Sequence, residues 1–355
     1  MTDWSHLRDF RVVRLNARLS PVSPLEARLY DRYGLRPILA EANSVAELIP
    51  VLADCDALFA VSVALPAPVI ASLHRCKLIS RLGNGTDKID VAEATRRGIL
   101  VTNVPYFCVD EMADHAMGLL LMLARRIPQM SRYMLAGAYP QARAESLQLR
   151  RVSHCVLGIV GFGASGQALA KRARACGMRV LATRKRMASR DEADALGVEL
   201  VDFETVLTES DYVSLHLPLS SETYHLIDAA ALQRMRHGAC LINTSRGALV
   251  DEMALAEALR EGHLAGAGLD TFHGIDIFAE NPERPAHPLA QLDNVILTPH
   301  VSGLSIQAAA EVTTTGVANL VTVLSGHWPN ADNIVNQGVT PWAPLSDYDP
   351  ALLAA

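Results

Sequence analysis

The chain has 355 residues, of which 50% are hydrophobic, 20% charged and 5% aromatic. That is apolar material for about two domains at roughly 100–200 residues each, and it excludes a disordered polar chain. Lys and Arg number 32 against 38 Asp and Glu, a formal charge of -6, so the basic surplus of a nucleic-acid binder is missing and no nucleic acid is expected as a partner. The segment from Met1 to Phe10 is polar and lacks the apolar core of a signal peptide. The longest greasy stretch, Ala116 to Ala124, is about half the length a bilayer span needs, so no membrane is expected either. Six cysteines (Cys55, Cys76, Cys108, Cys155, Cys176, Cys240) are scattered without a CxxC pair. They read as small buried hydrophobes in a reducing compartment, neither staples nor metal ligands, and a soluble cytoplasmic protein without metal is the expectation.

In chain order, short apolar runs alternate with helical patterns. Ala57–Ser62, Leu78–Leu82 and Ile99–Val104 read as buried strands, and Ala46–Ala53, Pro68–His74 and Val91–Arg97 carry a 3.6-residue period between them. Continuous apolar strands alternating with helices imply a doubly wound α/β domain with a parallel sheet. A long helix is predicted from Asp110 to Arg126, followed by a loop-rich stretch to about Arg150. A second alternation then begins, with strands predicted at His154–Val160, Arg179–Thr183, Tyr212–Leu217, Ala239–Thr244, Gly266–Thr271 and Asn294–Thr298. A helix over Ile306–Leu324 precedes a tail rich in Pro and Asn.

Gly161-Phe162-Gly163-Ala164-Ser165-Gly166 closes one of these strands and opens a helix. In that context Gly161 allows a tight turn, Gly163 lets the backbone approach a pyrophosphate, and Gly166 lets helix pack on strand. The free N–H groups of the helix start complete a dinucleotide cradle. At the end of the next strand, where a carboxylate would bind a ribose 2′-hydroxyl, the chain reads Thr183-Arg184-Lys185-Arg186. Cations there attract a 2′-phosphate, so NADP(H) is the expected cofactor, with NAD(H) second. Two further strand ends carry chemistry. Arg246, in Asn243-Thr244-Ser245-Arg246-Gly247, offers a planar fork for a carboxylate. His300, in Thr298-Pro299-His300, offers a group that titrates near neutrality for proton transfer. Either residue alone reads as an ordinary surface Arg or a structural His; three features at the strand ends of one sheet change that reading.

Those motifs, with Arg81-Leu82-Gly83-Asn84-Gly85-Thr86-Asp87, Arg97-Gly98-Ile99-Leu100-Val101-Thr102-Asn103-Val104-Pro105 and His216-Leu217-Pro218-Leu219, make the chain resemble the D-isomer-specific 2-hydroxyacid dehydrogenase family from about residue 50 to 330. The resemblance implies two doubly wound parallel-sheet domains. One is a Rossmann dinucleotide-binding domain over 104–301. The other is a discontinuous, flavodoxin-like substrate domain over 1–103 plus 302–335, with 336–355 as a tail, hinges near Pro105 and Pro299, and an active site in the interdomain cleft. It also implies a homodimer through the cofactor domain and a small 2-oxo or 2-hydroxy acid as substrate.

Roles carry over by resemblance. Arg246 would hold the substrate, His300 would act as general acid/base, and the amides of Asn84 and Gly85 would grip the carboxylate. Gly161, Phe162, Gly163, Ala164, Ser165, Gly166, Thr183, Arg184, Lys185, His216, Pro218, Thr223, Thr244 and Asp270 would meet the cofactor, Asp270 at the nicotinamide. The family's third catalytic residue, a Glu paired with the His, falls where this chain departs from the pattern. Counting back from His287-Pro288-Leu289 puts Asn281 in that place, with Glu280 one residue earlier; Glu280 is favoured, and Asn281 and Asp276 remain open. Arg81 either meets a second anionic group of the substrate or is a bland strand-end cation, and Leu82, Tyr106 and Phe107 are candidates for the pocket wall. Glyoxylate and hydroxypyruvate are the default substrates. Alternatives are 3-phosphoglycerate, phosphite or formate, or a cofactor-sensing corepressor, which the run Val104-Pro105-Tyr106-Phe107-Cys108-Val109-Asp110-Glu111 resembles.

Overall fold

A computed structural model describes residues 4–185, 191–275 and 285–353. The chain divides into two compact units, one built from residues up to Phe107 together with those from Ser305 on, the other from Cys108 to Leu304.

In the first unit, five strands, β1 (Val12–Leu15), β2 (Ile38–Ala40), β3 (Ala57–Ala60), β4 (Leu78–Arg81) and β5 (Leu100–Thr102), form a sheet in the order β2-β1-β3-β4-β5. Every pairing is parallel, which gives the flavodoxin-like order. Successive residues face opposite layers: Leu58 and Ala60 enter one core with Ile79 and Val101, while Ala57 and Phe59 enter the other with Leu78 and Leu100. Burial on both faces is why β3, β4 and β5 read as unbroken apolar runs. β1 escaped the sequence reading because Arg14 interrupts it. Arg14 is nonetheless buried: its guanidinium donates to Glu26 Oε1 at 3.0 Å, to Leu15 O and to Ser20 O. The Tyr30 hydroxyl donates to the same Glu26 carboxylate, and burial raises its own pKa. The segment after the last helix, Ile306–Leu324, packs on this unit: Val339 is buried in its core and Trp342 Nε1 donates to Cys76 O.

The second unit holds seven strands, β6 (Val156–Val160), β7 (Arg179–Thr183), β8 (Glu199–Leu200), β9 (Tyr212–Leu215), β10 (Cys240–Asn243), β11 (Gly266–Leu269) and β12 (Val295–Leu297). Their order, β12-β11-β10-β9-β6-β7-β8, is that of a Rossmann sheet extended by one strand, again wholly parallel. The sheet reverses between β6 and β9, so the loops leaving those two strands flank the switch point where ligands bind.

Two expectations need correction. Residues 127–147 are not loop-rich: helices Ile127–Leu135 and Tyr139–Ser146 occupy most of them. Pro128 and Pro140 lie in the first turns of those helices, where a missing N–H costs nothing. Cys176 is exposed, unlike the other five cysteines, because it follows the last turn of helix Ala164–Ala175 on its outer side. Among the described residues no helix is long and apolar enough to cross a membrane.

Removing one partner of the buried Arg14–Glu26 pair strands a charge out of water, at a cost of about 3–5 kcal/mol. Glu26→Ala is expected to lower the stability measured by denaturant titration of the purified protein by that amount, whereas the exposed pair Arg36–Asp31 is expected to contribute less than about 1 kcal/mol when Asp31→Ala is measured alongside.

Candidate functional site

The turn after β6 is built by contact and not by glycine flexibility alone. Gly161 has φ +99, and a Cβ there would lie 2.3 Å from His216 O; a Cβ on Gly166 would lie 2.3 Å from Gly161 O. Gly161 N donates to Thr183 O, tying the loop to the end of β7, while Phe162 is buried in the core beneath. Gly163 is different. A Cβ on it would meet nothing within 4 Å, so open space lies over the loop there, immediately before helix Ala164–Ala175. Open space above free helix N–H groups fits a pyrophosphate. The Ser165 hydroxyl meets His216 Nδ1 at 3.2 Å, and His216 Nε2 meets Ser214 Oγ at 2.9 Å. Burial holds the His216 imidazole down at about 4, because a cation there would be stripped of water. Pro218 O accepts from the Thr223 hydroxyl, which closes the turn that follows.

Beyond β7, Arg184 is half-buried and reaches Glu192 Oε2 at 3.5 Å; Glu192 also accepts from Gln167 at 3.1 Å. Lys185 pairs with Glu222 on the surface. Arg186 lies outside the described residues.

Beyond β10, Asn243 braces the turn by donating to Arg246 O and accepting from Ser245 N, and Ser245 Oγ donates to Leu215 O. Arg246 is half-buried, with Nη1 donating to Ser245 O. Gly247 next to it packs against the backbone after β11: a Cβ would stand 2.1 Å from Phe272 C. Thr244 Oγ1 and Thr271 Oγ1, just past β10 and β11, are buried without a hydrogen-bond partner among the described residues. An unmet buried hydroxyl costs about 1–3 kcal/mol, which a polar ligand at these strand ends would recover.

Beyond β11 and β12 the backbone is strained and strapped. His300 has φ +56, a left-handed conformation that costs a non-glycine residue about 1–3 kcal/mol and persists only where its surroundings enforce it. Asp270, fully buried, enforces it. Its Oδ1 accepts from the Thr298 hydroxyl at 2.6 Å and from Val301 N at 3.0 Å, and its Oδ2 accepts from Ser302 N at 2.8 Å. The carboxylate implied at the nicotinamide is thus engaged with the loop that carries His300. Glu280, Asn281 and Asp276 lie outside the described residues. Both flanks of that stretch are tied to Glu252, which accepts from His273 N at 2.7 Å and Gly274 N at 3.2 Å and pairs with His287 Nε2 at 3.1 Å.

In the other unit, Arg81 at the end of β4 turns back on its own loop, donating to Gly85 O at 3.1 Å and to Leu82 O. Asn84 is exposed, and its carbonyl accepts from Asn103 Nδ2 at 2.7 Å. Through these contacts Arg81 braces its own loop.

Two participants escaped the sequence reading. His115, on helix Val109–Ala124, lies 2.9 Å from Thr298 Oγ1 and 3.7 Å from Asp270 Oδ1. Glu252 begins helix Glu252–Arg260. Each is one polar residue on an otherwise ordinary amphipathic helix, and only the fold shows what it faces.

Comparison with known proteins agrees with this geometry. Residues 117–302 match the family model described as D-isomer specific 2-hydroxyacid dehydrogenase, NAD binding domain. The chain is 41% identical over 293 residues to a glyoxylate reductase of Korarchaeum cryptofilum, covering 82% of this chain and 86% of that one. It is 35% identical to a D-3-phosphoglycerate dehydrogenase of Archaeoglobus fulgidus over 82% of this chain and 54% of that longer protein. The crystal structure of the TT0316 protein from Thermus thermophilus superposes with a TM-score of 0.77 at 35% identity, covering 92% of this chain and 99% of that one. A nucleotide cradle, an Arg and a strapped His at the strand ends of one Rossmann sheet, together with these matches, lead to one conclusion: the chain belongs to the D-isomer-specific 2-hydroxyacid dehydrogenase family, as an NAD(P)-dependent oxidoreductase.

Proposed function

We propose that this protein reduces a small 2-oxo acid, glyoxylate or hydroxypyruvate, to the D-2-hydroxy acid with NADPH as the preferred cofactor, in the cytoplasm. The observation that carries the reading is Arg184 standing one residue past β7 with no carboxylate in its place. Its partner Glu192 is 56% exposed, and a solvated pair of that kind contributes little, so a dianionic 2′-phosphate competes for the guanidinium on good terms. The relatives named glyoxylate reductase support the substrate class.

The cofactor, when bound, supplies hydride chemistry; Gly161 to Gly166, Arg184, His216 and Thr244 are the residues to hold it. The chain supplies the rest. Arg246 holds the substrate carboxylate and polarises the carbonyl; in the first unit, Asn84 and Gly85 carry the backbone amides that the family resemblance assigns to a substrate carboxylate. His300, a proton donor on a backbone that cannot relax, delivers its proton to the carbonyl oxygen. Glu280 is the residue proposed to favour the charged form of His300.

NADPH and NADH oxidation followed by absorbance against a panel of 2-oxo acids tests this. Expected is turnover of glyoxylate or hydroxypyruvate with a higher kcat/KM for NADPH, a preference that Arg184→Asp reverses, and a fall in kcat of roughly 10²–10⁴-fold in His300→Gln. Equal use of both cofactors removes the Arg184 argument, and silence across the panel despite NADPH binding removes the reductase.

His216 supplies a pH test of the cradle. Its folded pKa lies near 4 and its ordinary value is 6.5. Above 6.5 neither state binds the proton; between 6.5 and 4 only the unfolded chain does, so stability falls as pH falls through that window. The loss attributable to His216 is roughly 3 kcal/mol. Measured as denaturation at about pH 7 and about pH 4, the difference between the native protein and His216→Gln is expected to shrink by that amount.

The homodimer is proposed as well. Leu135 and Leu147 are 87% and 88% exposed on and beside the helices Ile127–Leu135 and Tyr139–Ser146, with Ile127, Met134 and Tyr139 also exposed. Sedimentation at micromolar concentration is expected to return twice the chain mass, and Leu135→Glu with Leu147→Glu to return a monomer.

A further inference from the structure

We propose that His115 is a positioning residue for proton transfer by His300, acting through Thr298 and Asp270; this rests on the dehydrogenase reading above. The hydrogen-bond directions follow from what each group can do. A carboxylate only accepts, so the Thr298 hydroxyl spends its one proton on Asp270 Oδ1, at 2.6 Å. Thr298 Oγ1 must then accept from His115 Nε2 at 2.9 Å, which assigns the ring hydrogen to Nε2. The chain runs His115 Nε2–H to Thr298 Oγ1–H to Asp270 Oδ1, and the same carboxylate holds Val301 N and Ser302 N.

The last two amides are those directly after His300. Any turn of the Asp270 carboxylate therefore alters the backbone that keeps His300 at φ +56. Asp270 is fixed by Thr298, and the Thr298 rotamer is fixed by donating to Asp270 Oδ1 while accepting from His115 Nε2. His115 is the outer lock of this series: its side chain is 23% exposed, whereas Asp270 is fully buried. All four residues lie in the second unit, on helix Val109–Ala124 and at the ends of β11 and β12. His115 reaches the catalytic group only through its neighbours.

Two variants separate positioning from packing. His115→Leu fills the space without a donor. His115→Gln carries an amide nitrogen close to where Nε2 stands. With a 2-oxo acid that the native enzyme turns over, the Leu variant is expected to lose roughly tenfold or more in kcat, since misplacement by about 1 Å can cost up to 10²-fold. The cofactor KM is expected to stay within about twofold. The solvent deuterium isotope effect on kcat is expected to rise as proton delivery becomes slower. The Gln variant is expected to recover most of the loss.

A Leu variant with native kcat and isotope effect overturns the proposal, and so do equal losses in Leu and Gln accompanied by a higher cofactor KM. Crystal structures of the native protein and the Leu variant decide the geometry without turnover. Thr298 rotated off Asp270 with a shifted 300–302 backbone supports the proposal, and an unchanged strap refutes it. If the native protein turns over no 2-oxo acid, the functional reading fails while the crystallographic comparison still decides the role of His115.

Discussion

The constraint on which the rest of this protein depends is the parallel pairing of strands buried on both faces. A parallel sheet sends every strand out at the same edge, and covering helices leave no other way to return. Once β6, β9, β10, β11 and β12 pair in register, Gly161, His216, Arg246, Asp270 and His300 follow their strands at the same edge of one sheet. Nothing about those residues individually requires them to meet. The chemistry is a consequence of strand direction.

Within that frame the loops are held by buried polar groups more than by apolar contact. Ser245 reaches Leu215 O, Asn243 reaches across its own turn, and Glu252 gathers two amides and His287. Asp270 is the extreme case, a carboxylate without solvent whose ligands are a hydroxyl and two amides. Buried charge is costly to strand but rigid once satisfied, and that rigidity holds the loop on which His300 keeps its unfavourable backbone conformation. The cofactor loop shows the complementary arrangement: His216 is neutral and bonded at both ring nitrogens, so the cradle presents helix N–H groups to an anion without a titrating group beneath it.

Particular elements show how far sequence reading carries. The strands at Leu78, Val156, Cys240 and Gly266 were legible because burial on both faces writes an unbroken apolar run. β1 was not, because Arg14 is charged, and only the placement of Glu26 on a packed helix makes its burial tolerable. The stretch after Ile127, expected to be loop-rich, holds two helices whose prolines sit in their first turns, a position a helix tolerates. Of the site, Arg246, His300 and the glycine loop stood out by position after a strand. The two roles of Asp270, as an implied cofactor contact and as the strap on the His300 loop, differ because the second depends on backbone amides 31 and 32 residues later in the chain.

The two α/β units, the dinucleotide loop and the residue types available at each strand end can be read along the chain, because local periodicity and glycine spacing are properties of neighbours in sequence. Tertiary structure decided which polar groups face one another: that Arg81 braces its own loop, that His216 stays neutral between two serines, and that His115 reaches the strap beside His300. A hydrogen bond between residues as far apart in the chain as His115 and Thr298 leaves no periodic trace. Such contacts depend on strand order, and strand order is set by packing the whole sheet.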